Sequence, residues 1–168
     1  MKPTHIEHIG IAVNKLEEAI PYYEKLLGTS CYAIEEVADQ KVRTAFFKIG
    51  QTKIELLESL DPDGPVGKFI EKKGEGIHHI AFAVNGLEGA MEEAKSNGIR
   101  LIDEQPRKGA EGLHIAFLHP KSTFGVLTEL CEDKKLEVGS YKLEVACLGS
   151  MTREVACLGG TTSEVGRV

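Results

Sequence analysis

The 168-residue chain has no long apolar run, no excess of positive charge, and four cysteines without the close pairing that marks a thiolate metal site. Each shortage removes a class of protein. A membrane-spanning helix needs roughly 20 consecutive apolar residues, and no segment comes near that. Met1 is followed by the polar stretch KPTHIEH, where a secretory signal would need an apolar core, so a cytoplasmic protein with reduced thiols is expected. Lys and Arg number 20 against 26 Asp and Glu, a net charge of −6, which argues against nucleic-acid binding. The basic pairs Lys72 with Lys73 and Arg107 with Lys108 read first as solvated surface, and second as places where an anionic ligand could be met. With 42% hydrophobic and 27% charged residues, the chain is too apolar for disorder and long enough to bury one core.

What the chain does have is a repeated phrase. HIGIAVNKLEEA begins at His8 and HIAFAVNGLEGA at His79, a shift of 79 − 8 = 71 residues. That period exceeds the 20 to 50 residues typical of solenoids, so it indicates two fused modules with a shared core. In the first copy Ile9, Ile11 and Val13 alternate with His8, Gly10 and Ala12, as in a strand packed on one face, and Ile80, Phe82 and Val84 alternate likewise with His79, Ala81 and Ala83. Leu16, Ala19, Ile20, Tyr23 and Leu27 then recur at helical spacing up to Gly28, and Leu87, Ala90, Met91 and Ala94 do so up to Gly98. Three strands are expected after each helix: 31–37, 42–49 and 53–57 in the first module, 100–103, 114–118 and 125–132 in the second.

Each module is therefore read as βαβββ, and the fold class as α+β, with the two sheets curving around a shared cleft. Residues 1–60 form the first module, 61–76 a connector and 77–132 the second module. The segment 133–168 differs: EVACLG occurs at 144 and again at 154, and its five basic residues balance five acidic ones. It is read as an atypical appendage without a chemical role.

Each module also ends on an acidic residue inside an apolar run, Glu55 in KIELLE and Glu129 in LTELCE. Taken singly, His8 and His79 would read as satisfied core histidines, and the two glutamates as edge-strand charges. Repetition at the start and at the end of each module reverses that reading, because burying four ionisable groups without partners would cost several kcal/mol. Two imidazoles and two carboxylates suit a divalent metal. The lack of thiolates disfavours a closed structural zinc site and leaves cobalt, manganese, nickel, iron or an open zinc site. His78 falls on the other strand face and is assigned a supporting or structural place; His5, His114 and His119 have no repeat partners.

These residues and their βαβββ repeat resemble the vicinal oxygen chelate superfamily of glyoxalases and dioxygenases, and most of all its methylmalonyl-CoA epimerase family. The resemblance runs from about residue 5 to 132, through HIGIAV, LEEAIPYYEKLLG, TKIELLE, LDPDGPVGKFIEKKGEGIHHIAF, RLIDEQPRKGA and FLHPKSTFGVLTEL. It implies interconversion of (2R)- and (2S)-methylmalonyl-CoA in propionate metabolism, by removal and return of the C2 proton through a metal-stabilised enolate. It further implies a divalent ion, Co2+ before Zn2+, Mn2+ or Ni2+, held by His8, Glu55, His79 and Glu129. Glu129 and Glu55 would be the catalytic groups, because the position where some members carry a second catalytic glutamate is here Thr44, no base at neutral pH. Lys121 and Ser122 of the HPKS turn are candidates for contact with an acyl-CoA substrate. A homodimer is expected, with no nucleic-acid or membrane partner. Two alternatives stand beside this reading: a glyoxalase I-like lyase acting on a glutathione hemithioacetal, and a ligand-binding module without catalysis.

Overall fold

The computed structural model describes residues 1–133; the appendage expected beyond Asp133 lies outside them. The first module comprises β1 (His5–Val13), α1 (Leu16–Leu27), β2 (Ala33–Val37), β3 (Val42–Ile49) and β4 (Thr52–Ser59). A connecting helix, α2 (Pro65–Lys73), leads to β5 (Gly76–Ala83), α3 (Leu87–Ser96), β6 (Arg107–Lys108), β7 (His114–Leu118) and β8 (Thr128–Glu132). Both modules are βαβββ, as the periodicity indicated. Their strands do not form two separate sheets, however: they join in one eight-stranded sheet, ordered β2-β3-β4-β1-β5-β8-β7-β6 and curled into a half-barrel.

The seam is the antiparallel pairing of β1 with β5, the two histidine strands. Ile9 lies opposite Ile80, with His8 opposite Ala81 on one side and His79 opposite Gly10 on the other. A pseudo-twofold axis therefore passes through the Ile9–Ile80 pair. It relates the parallel pairing of β1 with β4 to that of β5 with β8.

The outer face of the sheet carries the core, and it is duplicated nearly residue for residue. Around α1 pack Val13, Leu16, Ala45 and Phe47 with Ile11, Ala19 and Ile20. Around α3 pack Val84, Leu87, Ala116 and Leu118 with Phe82, Ala90 and Met91, each 71 positions later. Leu16 and Leu87 are both 1% exposed, a burial that stabilises by about 1.5–3 kcal/mol apiece. The last glutamates of the repeated motifs also share a task. Glu58 accepts from the Leu16 backbone N–H at the start of α1, and Glu132 accepts from the Gly86 N–H at the start of α3, each meeting an orphan donor and the positive end of the helix dipole.

The strand expected over 100–103 is reduced to a single bridge between Leu101 and Leu118. Ile102 donates to the Phe117 carbonyl, but the Phe117 N–H is taken by the Asp103 carboxylate at 2.7 Å. That side chain occupies the next rung of the ladder. Pairing resumes only at Arg107 and Lys108, opposite Ile115 and His114. No helix among the described residues is long and apolar enough to cross a membrane.

Candidate active site

Alternation along the strands sends one set of side chains to the helices and the other to the inner face of the half-barrel. Cross-strand register then lines the inner set up in two rows. One row runs Phe46, Glu55, Gly10, His79; the other runs Phe117, Glu129, Ala81, His8. The pseudo-twofold exchanges them, so each module's glutamate shares a row with the other module's histidine. All four ionisable groups are 5% exposed or less.

The two imidazoles meet at the seam with Nε2 atoms 2.9 Å apart and rings nearly perpendicular. Glu129 lies 3.5 Å from His79 Nε2 and 3.8 Å from His8 Nε2. Ligands bound about 2.1 Å from one ion at angles of 90–110° are themselves about 3.0–3.4 Å apart, and the three separations here, 2.9, 3.5 and 3.8 Å, come within about 0.4 Å of that range, so small side-chain shifts would let the three groups share one metal ion. Their donor atoms all lie within 4.8 Å of one another. Glu55 stands elsewhere: it approaches the opposite nitrogen of the same ring, His8 Nδ1, at 3.4 Å, and its cluster is with Glu7 and His8. The structure thus gathers His8, His79 and Glu129 into one nest and puts Glu55 at its margin.

Close approach of the rings requires Gly10. A Cβ at that position would fall 2.3 Å from Cε1 of His79. The equivalent residue opposite His8 is Ala81, which the other side of the seam accommodates.

Each ring is backed by its preceding residue, and here the repeat breaks. His8 Nδ1 lies 2.5 Å from the Glu7 carboxylate, whereas His79 Nδ1 lies 2.9 Å from Nδ1 of His78, which itself packs edge-on against Phe69. Both contacts occupy the nitrogen remote from the nest and leave the Nε2 atoms facing inward. Burial lowers the pKa of His8, but Glu55, Glu7 and Glu129 together outweigh it and push the value up to about 9. Burial takes His78 down to about 4, and burial with the neighbouring His8 holds His79 well below the usual histidine range. Burial raises Glu129 to about 7 and also lifts Glu55. For Glu7 burial works upward too, yet its bonds with His8 and Lys53 prevail and bring it to about 2.

The nest opens into a cleft whose apolar wall includes Val37, Leu57, Leu113 and Ile115 and whose polar wall includes Gln40 and Thr44. Thr44, itself 1% exposed, lies on β3 opposite Leu57. Lys121 and Ser122 are not among the lining residues. They form a short 3-10 turn in which His119 accepts from the Lys121 N–H, and the Ser122 hydroxyl accepts from the Arg100 N–H.

The residues 7–117 match the model of the glyoxalase/bleomycin resistance protein/dioxygenase superfamily. The chain belongs to that superfamily. Within it, the chain is 38% identical over 127 residues to the ethylmalonyl-CoA/methylmalonyl-CoA epimerase of Cereibacter sphaeroides, covering 74% of this chain and 95% of that one. An uncharacterised protein of Bacillus subtilis is 48% identical over 129 residues, with 77% and 92% covered. The structure of the Streptomyces coelicolor methylmalonyl-CoA epimerase in complex with 2-nitronate-propionyl-CoA superposes with a TM-score of 0.77 at 37% identity, covering 79% of this chain and 96% of that one.

Three participants escaped the sequence reading in whole or part: Glu7, Lys53 and the loop around Glu111. A signal for Glu7 was present, since 7 and 78 are repeat equivalents and both precede a ligand-type histidine. Lys53 and Glu55 are two apart on one strand and so share a face. Glu111 arrives from the other module, and no local pattern announces it.

Proposed function

We propose that the chain is an isomerase, a methylmalonyl-CoA epimerase, with His8, His79 and Glu129 holding a divalent metal ion and Glu55 completing the set as a fourth ligand or proton carrier. The observation that carries this reading is the inward-facing nest of two Nε2 atoms and a buried carboxylate, in a chain with epimerases among its relatives. Co2+ is the first choice of metal, with Zn2+, Mn2+ and Ni2+ as alternatives. When bound, such an ion would polarise a thioester carbonyl and so acidify the adjacent carbon.

Epimerisation needs one group to remove the C2 proton and another to return one on the opposite face. Among the described residues lining the cleft, the carboxylates are Glu55 and Glu129. They come from different modules, so they reach the cleft from two sides of the pseudo-twofold. In the metal-free chain burial raises both above the ordinary carboxylate range, Glu129 to about 7. Glu7, held near 2, stays ionised and cannot return a proton. Thr44 has no usable basicity, which leaves the second proton to Glu55.

The apolar wall would receive the substrate's methyl-bearing carbon, and Lys121 with Ser122, outside the cleft lining, would meet its CoA portion. In this reading the protein works in the cytoplasm as a homodimer, formed through the exposed edges of its sheet. The deciding experiment incubates Co2+-loaded protein with one epimer of methylmalonyl-CoA in deuterated water and follows deuterium at C2. Exchange with racemisation is expected. Its absence rejects the assignment, and turnover of a methylglyoxal–glutathione hemithioacetal in its place would favour the lyase.

A further inference from the structure

Lys53 is a buried ammonium, 5% exposed, directly beside the ligand strand: in the β1–β4 register it pairs with His8. A cation removed from water needs anionic partners, and this one has three. Its Nζ lies 2.8 Å from Glu7 Oε1, 2.5 Å from Glu111 Oε2 and 3.9 Å from Glu55 Oε1. The other oxygen of Glu7 is the one at His8 Nδ1. An unbroken chain of contacts therefore leads from Glu111 through Lys53 and Glu7 to a ring of the metal nest.

Glu111 belongs to the second module and is held in place from several directions. Its other carboxylate oxygen accepts from the Tyr32 hydroxyl at 3.1 Å, and its backbone N–H donates to Glu35 at 2.9 Å. The residue sits at φ 53°, in the left-handed region that a non-glycine residue adopts only where its surroundings impose it. It lies in the loop whose neighbours Gly109, Ala110 and Leu113 line the cleft. The second module has no such arrangement. His78 stands where Glu7 would be, and Leu127, two residues before Glu129, stands where Lys53 would be.

We propose that Lys53 is a positioning residue with two arms. Through Glu7 it fixes the His8 ring with Nε2 toward the cleft, and through Glu111 it ties the substrate-lining loop 109–113 to the same support. Retention of metal at His8 and the set of the loop against substrate are thereby joined in one ionic cluster.

The test compares Lys53→Met, Lys53→Arg and Glu111→Gln with the unaltered chain, reading Co2+ affinity by titration, the visible absorption of bound Co2+, and kcat and KM separately. Lys53→Met weakens Co2+ binding about ten- to a hundredfold, the usual effect of losing support behind a metal-ligating histidine, and alters the Co2+ absorption. Lys53→Arg, which keeps the charge, restores most of both. Glu111→Gln, at a residue partly open to solvent, raises KM several-fold and leaves kcat and the Co2+ absorption in place. A folded Lys53→Met protein with unchanged Co2+ affinity and absorption overturns the proposal, as does Lys53→Arg behaving no better than Met. Should Lys53→Met not fold, Glu111→Gln with unchanged KM overturns it instead. The inference rests on the metal reading of the nest. Failure of the unaltered chain to bind Co2+ sinks that reading, whereas binding that Lys53→Met leaves intact sinks only the positioning role.

Discussion

The two modules agree on their outer face and differ behind the site. Val13, Leu16 and Ala45 have identical partners 71 residues on, at Val84, Leu87 and Ala116, because the helix-on-sheet packing of both modules is under the same volume constraint. The inner face repeats the histidine and the glutamate but not their supports. One imidazole leans on a carboxylate locked to a lysine, the other on a neutral imidazole against a phenylalanine ring. The duplication thus fixes what faces the cleft, while the residues behind it are free to make the two halves electrically unlike. An axis that brings two equivalent groups to one substrate is useful to an epimerase only if they can take different protonation states, and unequal surroundings provide this.

The largest effect should come from separating the two glutamates. Glu129 lies in the nest with both Nε2 atoms, so Glu129→Gln should lose turnover by at least about 10² to 10⁴-fold, the range for a lost acid or base, and weaken metal binding as well. Glu55 lies on the far side of His8, so Glu55→Gln should keep its metal and still lose turnover on a similar scale. Metal content by elemental analysis and C2 deuterium exchange, measured on both variants, decide the matter. Near-normal turnover of Glu55→Gln would remove it from the proton path.

Next is the seam. Gly10→Ala puts a methyl group 2.3 Å from Cε1 of His79, so the ring must swing out or β1 must shift, at a cost of about 1–3 kcal/mol. Loss of Co2+ binding is expected together with a lower melting temperature. The mirror change, Ala81→Gly, removes a methyl group opposite His8 and should leave binding nearly intact while costing a little stability. Equal effects from the two would mean that the halves are more alike than their contacts indicate.

Much of this was legible in the chain, for physical reasons. The period of 71, the alternation in HIGIAV and HIAFAV, and the helices ending at Gly28 and near Gly98 are local patterns, and local patterns specify βαβββ twice. Joining of the sheets into one depended on β1 meeting β5, a contact between residues 71 apart that no short-range signal encodes. The second module's first strand after α3 failed because a single side chain, Asp103, takes a rung of the ladder. His8, Glu55, His79 and Glu129 stood out because they recur. Lys53 and Glu111 did not, since one-sided features leave no echo in the other copy.

The supports themselves give a smaller contrast. Glu7→Gln replaces a charge-assisted bond to His8 and leaves Lys53 short of a partner. It should weaken Co2+ binding about ten- to a hundredfold. His78→Asn exchanges one neutral group for another at His79 and should do less. Competition titration against a chelator ranks them, and a larger effect at His78 would reverse the comparison.

A change of pH acts on the same groups without a mutation, by about tenfold in affinity per unit for each proton displaced. In the metal-free protein His8 keeps its proton up to about 9 and Glu129 up to about 7. Below pH 7 a metal ion must displace both protons, between 7 and 9 only that of His8, and above 9 neither. Affinity for Co2+ should therefore rise steeply to pH 7, less steeply to 9, and then level. The stability of the metal-free chain runs the opposite way. Both groups bind protons more tightly folded than unfolded, so the His8 contribution is complete below about 6.5 and lost as pH climbs through about 9, and ionising Glu129 costs stability as pH passes about 7. Calorimetric titration in buffers of different ionisation heat counts the released protons directly. An affinity flat from pH 6 to 9 would show that the nest holds its metal without His8 and Glu129, and would return both to the status of buried structural charges.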